Sequence, residues 1–394
     1  MYNILTLNKI SQAGLGKLPH DKFNVGDDIA NPDGIILRSY SMHEMELPES
    51  LLAIARAGAG TNNIPVNKCA EEGIVVFNSP GANANAVKEL VLCALLFSSR
   101  NVIGGIEWTK SLKGQSDADK QVEKGKSQFI GPEIMGKTLG IIGLGNTGGR
   151  IAIAAAALGM QILGYDPYMR EADAYGKFTQ NFTYTSDLEQ IMKESDYITV
   201  HVPLTADNKY MFNTQAFGLM KKGVRLLNFS RGELVNNNDL KQAVADGTIA
   251  YYITDFPSAE VLEIDNVIAL PHIGASTPES EENCAAMAAL EIKDYLESGN
   301  IQNSVNYANC YLPVTPGKTR IGIHHKNVPA MIHAITSVVS AENLNISNIV
   351  SSSKGDFAYC LLETDDLGDK YEKLLADLKA IEGVIRVRII MPQA

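Results

Sequence analysis

Three short segments carry residues that could move a proton and a hydride in concert: Asn228-Phe229-Ser230-Arg231-Gly232, Asp255-Phe256-Pro257-Ser258-Ala259-Glu260 and Leu270-Pro271-His272-Ile273-Gly274-Ala275-Ser276-Thr277. Removing a hydride from an alcohol needs a base for the hydroxyl proton, a carboxylate that tunes that base, and a cation that holds the substrate. His272 suits the first task, since imidazole exchanges protons near neutral pH. Glu260 suits the second: hydrogen-bonded to the ring, it would fix the tautomer and stabilise the imidazolium. Arg231 suits the third, gripping a carboxylate through two parallel N–H bonds and polarising the neighbouring carbonyl in the reverse direction. Singly, each has an ordinary use as a loop histidine, a solvated charge or a cap. Their shared place at strand ends, where the ligand crevice of an open α/β sheet lies, favours the chemical reading.

The hydride acceptor is legible in Gly143-Leu144-Gly145-Asn146-Thr147-Gly148, a GxGxxG run that follows an apolar strand and opens a helix, with Asp166 ending the next strand. Gly143 allows the tight turn, Gly145 lets a pyrophosphate approach the backbone, and Gly148 lets helix and strand pack closely. The helix N-terminus, from Asn146 and Thr147 onward, supplies amide donors. Asp166 would accept from the ribose hydroxyls and repel a 2′-phosphate, which favours NAD over NADP.

These residues need a scaffold, and the chain can build one. Its 394 residues suffice for two or three domains, and 45% hydrophobic content suffices for their cores. A net charge of −11 without a Lys/Arg cluster argues against a nucleic-acid partner. The longest apolar runs, such as Leu90 to Phe97, fall far short of the roughly 18 residues that span a bilayer. The first residues lack a secretory pattern, so the expected location is cytoplasmic. Cys69, Cys93, Cys284, Cys310 and Cys360 are odd in number and never form CxxC, so they read as reduced thiols, with no metal site.

Short strands at Ile35 to Leu37, Leu52 to Ala55 and Ile74 to Phe77 form a first α/β layer. From Leu139 the alternation becomes regular, with strands Leu139 to Ile142, Gln161 to Tyr165, Tyr197 to Val202, Val224 to Asn228, Ile249 to Thr254 and Val267 to Leu270. Apolar strands separated by helices predict a parallel sheet covered on both faces. A helix from Pro278 to Glu297 is long enough to return to the first layer. Residues 307–318 lack periodicity and read as a linker. Beyond it, the order strand, helix, strand, strand, helix, strand fits a ferredoxin-like unit.

With these motifs in place, the chain resembles the D-isomer-specific 2-hydroxyacid dehydrogenases, and within them the phosphoglycerate-oxidising branch with a C-terminal ACT domain. The likeness also rests on Leu37-Arg38-Ser39, Arg56-Ala57-Gly58-Ala59-Gly60-Thr61-Asn62-Asn63, Asn78-Ser79-Pro80-Gly81-Ala82-Asn83 and Gly136-Lys137-Thr138-Leu139-Gly140. It implies catalytic roles for Arg231, Glu260 and His272. It places Asp255 at the nicotinamide carboxamide and adds Val202, Pro203, Phe229 and Ser230 to the cofactor site. Ala59 and Gly60 would bind the substrate carboxylate, with Asn83 nearby, and Arg38, Arg56 and Lys126 would face a substrate phosphate, Lys126 serving a neighbouring subunit. Three departures stand out: Phe256 directly follows Asp255, Lys88 replaces a small residue beside Glu89, and the connection between Glu260 and His272 is short.

The tail segment His325-Lys326-Asn327-Val328-Pro329, with Asn345, resembles the ACT motif of serine-inhibited members, although Ala330 replaces the usual glycine. The resemblance makes His325, Asn327 and Asn345 effector residues for L-serine in a homodimer or homotetramer. His324 and His333 read as structural. The expected architecture is α/β: two Rossmann-like doubly wound domains plus a ferredoxin-like ACT domain. The substrate-binding domain (1–93 and 275–306) is interrupted by the NAD-binding domain (94–274), and the linker (307–318) leads to the ACT domain (319–394). The expected reaction is NAD-dependent oxidation of D-3-phosphoglycerate to 3-phosphohydroxypyruvate, the opening step of L-serine synthesis. Two alternatives stand beside it: another D-2-hydroxyacid dehydrogenase acting on glycerate or hydroxypyruvate, and a non-catalytic NAD-sensing scaffold.

Overall fold

Strands that are buried on both faces have no polar side to alternate with, and Tyr197–Val200 and Gly34–Leu37 are buried at every residue. In the computed structural model, which describes residues 1–178 and 180–392, such strands form two parallel sheets. The chain divides into two compact units, Ala84–Thr277 and Met1–Asn83 with Pro278–Ala394.

The Ala84–Thr277 unit holds seven parallel strands. From one edge to the other they run Val267–Ala269, Ile249–Thr254, Val224–Asn228, Tyr197–Val200, Thr138–Ile142, Gln161–Tyr165 and Phe182–Thr185. The order reverses beside Thr138–Ile142, as in the dinucleotide-binding doubly wound fold. Helix Ala84–Ser99 belongs to this unit: Val87, Val91, Ala94 and Leu95 share a core with Leu139, Ile141, Ile151 and Ala155. The sequence reading divides the chain at 93/94, inside this helix; the apolar face of the helix keeps it whole.

The other unit begins with five parallel strands in the order Phe23–Gly26, Tyr2–Leu7, Gly34–Leu37, Ala53–Arg56, Val75–Asn78. Helix Pro278–Ser298 closes its core with Cys284, Ala288, Ile292, Tyr295 and Leu296. Residues 319–390 add four antiparallel strands in the order Ile346–Lys354, Phe357–Thr364, Thr319–Lys326, Val384–Ile390, with helices Met331–Ala341 and Tyr371–Lys379. This layout fits the ferredoxin-like arrangement expected of an ACT domain.

The two inner strands of the tail sheet, Thr319–Lys326 and Phe357–Thr364, are buried on both faces. Ile321, Ile323, Cys360 and Leu362 face the sheet's own helices. The opposite face meets helix Pro278–Ser298: Tyr359 and Leu361 join the first core, and Tyr295 Oη lies 2.8 Å from His324 Nε2. Arg388 donates to the carbonyls of Tyr295 and Leu296 at 3.1 and 3.0 Å, the last turn of that helix. Residues 307–318 are correspondingly not a free connector. Tyr307, Cys310 and Leu312 are buried, and an isolated bridge pairs Ile301 with Cys310. A segment stapled by single contacts has no periodicity to display.

Ala330 precedes helix Met331–Ala341 in the left-handed conformation, φ 66° and ψ 5°. An alanine methyl is strained there and glycine is not. Ala330→Gly relieves about 1–2 kcal/mol of left-handed strain and, after about 0.4–1 kcal/mol for the added freedom of the unfolded glycine, stabilises the chain by about 0.5–1 kcal/mol, read as a higher denaturation midpoint. A lower midpoint would refute the strain.

Candidate active site

The glycine turn is built by sterics. Gly143 lies at φ 94° directly after strand Thr138–Ile142. A Cβ at Gly148 would stand 1.9 Å from the Gly143 carbonyl oxygen, so only glycine lets helix Asn146–Ala157 approach the turn. Gly145 caps that helix without a side-chain hydrogen bond and faces open space, which leaves the first-turn amides available to an anion. Asp166 supports the turn from the next strand: Oδ2 accepts from Leu144 N–H and Oδ1 from Tyr168 N–H, both at 2.9 Å. Lys177, which the sequence reading passed over, donates to the Leu144 carbonyl at 3.3 Å. Val202 stands against Gly143, and the Pro203 carbonyl accepts from Asn208 at 2.7 Å.

The Arg231 loop hangs from a buried asparagine. Asn228 Nδ2 donates to the Arg231 carbonyl at 2.8 Å, and its Oδ1 accepts from Ser230 N–H at 3.1 Å. Ser230 Oγ donates to the Val200 carbonyl at 2.7 Å, tying two strand ends together, while Phe229 points into the core. Asp255 is 2% exposed; Oδ2 accepts from Gly274 N–H at 3.0 Å, and Oδ1 is buried without a partner among the described residues. Burial raises this carboxyl above the usual range, opposed by the Gly274 amide and by the nearby charges of His272 and Arg231. An orphaned buried acceptor suits an amide donor such as a carboxamide, so the residues present fit a nicotinamide dinucleotide.

His272 is exposed in a left-handed conformation at φ 51°, its ring 4.8 Å from that of Phe256. Phe256, the departure noted in sequence, thus packs on the imidazole. Glu260 is not on His272: its Oε2 accepts from Asn237 Nδ2 at 2.8 Å, and no hydrogen bond joins it to the imidazole among the described residues. Asn236 caps helix Asn237–Ala245, accepting from Asn238 and Asp239, which leaves the Asn237 amide for Glu260. The run Asn236-Asn237-Asn238 was the only signal of this contact. His201, another histidine of this unit, lies with Nε2 2.8 Å from Thr199 Oγ1, and burial lowers it to about 3, so it stays neutral at working pH.

In the Met1–Asn83 segment, Ser79 organises the loop after strand Ala53–Arg56. Its Oγ donates to the Arg56 and Cys284 carbonyls at 3.0 and 2.9 Å, and its N–H to the Gly58 carbonyl at 3.0 Å. Asn78 Nδ2 holds the Ala59 carbonyl. The N–H groups of Ala59 and Gly60 then carry no intramolecular partner among the described residues, a small amide pair open to an anion.

Comparison with known proteins fits this geometry. Residues 106–274 match the family described as D-isomer specific 2-hydroxyacid dehydrogenase, NAD binding domain. A D-3-phosphoglycerate dehydrogenase of Haemophilus influenzae is 32% identical over 374 residues, covering 91% of this chain and 86% of that protein. The chain belongs to the D-isomer specific 2-hydroxyacid dehydrogenase family. A D-3-phosphoglycerate dehydrogenase of Methanocaldococcus jannaschii is 35% identical over 72% of this chain, which spans about half of that relative, 53%. The solved NAD+-bound 3-phosphoglycerate dehydrogenase of Entamoeba histolytica shares 26% identity and a TM-score of 0.61, over 79% of this chain and 99% of that one. This family member is an NAD-dependent oxidoreductase.

The remaining residues singled out in sequence are spread over both units of the dehydrogenase. Arg56 Nε donates to the Arg38 carbonyl at 3.1 Å, and Arg38 Nη1 pairs with Glu281 Oε1 at 2.6 Å. Lys126 is exposed and paired with Glu123 Oε2 at 2.5 Å, with no contact to Arg231, Asp255 or His272 among the described residues. Asn83 is half-buried. Lys88 donates to Asn85 Oδ1 at 2.7 Å and stands 3.8 Å from Glu89. In the tail, His325 Nδ1 lies 2.8 Å from the Lys326 carbonyl, and Nε2 is buried without a partner among the described residues. Asn327 donates to the Gly355 carbonyl at 3.0 Å, and Asn345 is exposed. All five cysteines are free thiols, and among the described residues no single helix is long and apolar enough to cross a membrane.

Proposed function

We propose that the chain oxidises D-3-phosphoglycerate to 3-phosphohydroxypyruvate with NAD. The observation that carries the reading is the open Ala59–Gly60 amide pair, with the Arg56 guanidinium against the preceding Gly58, in a chain whose Haemophilus relative bears that activity over nearly its full length. In this reading the amide pair holds the substrate carboxylate and Arg56 faces the phosphate. His272 takes the C2 hydroxyl proton, and Arg231 grips the carboxylate and polarises the carbonyl as it forms. Glu260 serves the imidazole through Oε1, the oxygen that Asn237 leaves open. Gly143 to Gly148 and Asp166 would hold the dinucleotide, whose chemistry when bound is to supply the hydride acceptor, and Asp255 Oδ1 would accept a hydrogen bond from its carboxamide. His325, Asn327 and Asn345 form an L-serine site in a homodimer or homotetramer, and cytoplasmic location goes with this role.

One observation favours an unphosphorylated substrate such as glycerate: Arg38 and Lys126 are already paired with Glu281 and Glu123. Following NADH absorbance with 3-phosphoglycerate or glycerate, with hydrazine trapping the product and with or without L-serine, decides between them. Turnover that requires the phosphate and falls with serine supports the full reading. Preference for glycerate moves the chain to the rival substrate, and indifference to serine removes the effector role.

A narrower expectation concerns Arg56. Arg56→Ala raises KM for 3-phosphoglycerate about tenfold or more, the loss of one charge-assisted hydrogen bond, with a much smaller change for glycerate. Equal changes for both substrates would show that Arg56 is not a phosphate ligand.

A further inference from the structure

At the edge of the seven-stranded sheet where the strands begin, a cavity of about 150 Å³ is lined by Lys137, Asp196, Lys221, Lys222 and Arg225 with Pro132. Lys137 precedes strand Thr138–Ile142, Asp196 precedes Tyr197–Val200, and Lys221 to Arg225 lead into Val224–Asn228. The strands are parallel, so residues far apart in sequence share one end. The Gly143 to Gly148 turn follows Thr138–Ile142 at its other end, about 17 Å away at roughly 3.3 Å per residue. This cavity is therefore separate from the dinucleotide turn.

Its charges do not balance. Lys222 is spent on Asp246 and Thr248, to which it donates at 3.1 and 2.8 Å. The three other cations face one carboxylate, Asp196, and no other acidic side chain lines the cavity among the described residues. Asp196 is itself committed: Oδ2 accepts from Thr138 N–H at 2.9 Å, and Oδ1 pairs with Lys221 at 3.1 Å. Burial opposes its charge, but these bonds and the positive charge of Lys137 hold the carboxyl below the usual range.

Donors remain unspent around it. Lys137 is half-buried, and its ammonium has no partner among the described residues. Arg225 is held from three sides, donating to the Ser98 and Gly223 carbonyls at 2.8 and 3.2 Å and lying 5.2 Å over the Tyr197 ring, which leaves Nη2 without an acceptor among the described residues. Lys221 donates to the Glu194 carbonyl and to Asp196 and keeps one N–H. A fixed guanidinium edge and two ammonium groups carrying two uncompensated charges match a phosphate dianion in charge and donor count. The volume lies below that of ordinary organic-ligand pockets, about 300 Å³ and more.

We propose that this cavity is an anion site for a phosphate dianion, taken as inorganic phosphate or as the phosphoryl group of a small phosphomonoester. An anion there bridges the starts of three neighbouring strands and stabilises the folded unit by mass action.

Equilibrium dialysis of radiolabelled inorganic phosphate against the full chain, at fixed ionic strength in chloride, tests it. Lys137→Met weakens binding about tenfold, the loss of one charge-assisted hydrogen bond, and leaves turnover unchanged. Lys137 is the residue to change because it breaks no ion pair, whereas losing Lys221 would unpair Asp196. Arg38→Ala/Arg56→Ala, which removes the cations proposed for the substrate phosphate, retains the binding, with NAD titration confirming that the variant is folded. Displacement of the label by glycerol phosphate identifies a phosphomonoester ligand and its absence inorganic phosphate; either upholds the site. No phosphate bound, wild-type binding by Lys137→Met, or loss of binding with the Arg38 and Arg56 pair would overturn it.

Discussion

His272→Asn lowers kcat by about 10²- to 10⁴-fold, the usual worth of a positioned general base, and leaves the Kd for NAD within about twofold. Asparagine is the informative replacement because residue 272 sits at φ 51°. Asparagine tolerates the left-handed region, whereas an alanine there would add backbone strain to the chemical loss. The side chain lies against Phe256, outside the core, so removing the ring opens no cavity in the unit. The two readouts separate cause from collapse: NAD affinity reports the Gly143 to Gly148 turn and Asp255, while kcat reports the proton. His201 offers no substitute base, since burial holds it at about 3. A variant that kept near-normal kcat would remove His272 from the proton-transfer role.

Glu363→Ala destabilises the chain by about 3–5 kcal/mol, the expected penalty for leaving a buried partner uncompensated. Glu363 is fully buried and accepts from Arg320 Nη1 at 2.8 Å, from Thr315 N–H and Oγ1 at 3.1 and 2.7 Å, and from Asn348 Nδ2 at 2.9 Å. Arg320, 3% exposed, also reaches Asn300 Oδ1 and the Leu312 and Pro313 carbonyls, joining the tail sheet to the preceding segment. Without Glu363 that guanidinium stays buried with its charge uncompensated. Replacing both partners, as Arg320→Met/Glu363→Leu, recovers most of the loss, because an apolar pair of similar volume carries no desolvation cost. Denaturant midpoints measure both, and a single variant losing under about 1 kcal/mol would deny the pair its role.

The same carboxylate gives a pH dependence. Burial opposes its charge, but Thr315, Asn348 and Arg320 outweigh that and hold its folded pKa below the usual carboxylate range. A depressed folded value means the contribution is fully present above the unfolded value, about 4.3, and is lost as pH falls through the folded one. Acidification through that window therefore costs the wild type more stability than Glu363→Gln.

Much of this was legible in the chain itself. Strands Gln161–Tyr165, Val224–Asn228 and Ile249–Thr254 fall where the apolar runs predict them. The glycine turn is equally local, because its stereochemistry depends on residues within a few positions of each other. Strands Tyr2–Leu7 and Phe23–Gly26 escaped notice: one has mixed burial along its length, and the other has four residues. Periodicity needs a longer or more uniform run to register.

The choice of partners belonged to the tertiary structure. Sequence gave Glu260 a chemical role, but the helix starting at Asn237 decided which side chain its carboxylate meets. Arg38 reads in sequence as a phosphate ligand, and only the fold shows that helix Pro278–Ser298 also sets Glu281 2.6 Å from it. Lys137, Asp196 and Arg225 carry no motif between them, yet parallel strands align their beginnings around one cavity. The sequence by itself determined the family, the dinucleotide turn and the order of the elements, all written in short-range spacing and stereochemistry. Tertiary structure decided which charges are paired, which are spare and which donors lack acceptors, because Coulomb and hydrogen-bond energies depend on distances that chain separation does not fix.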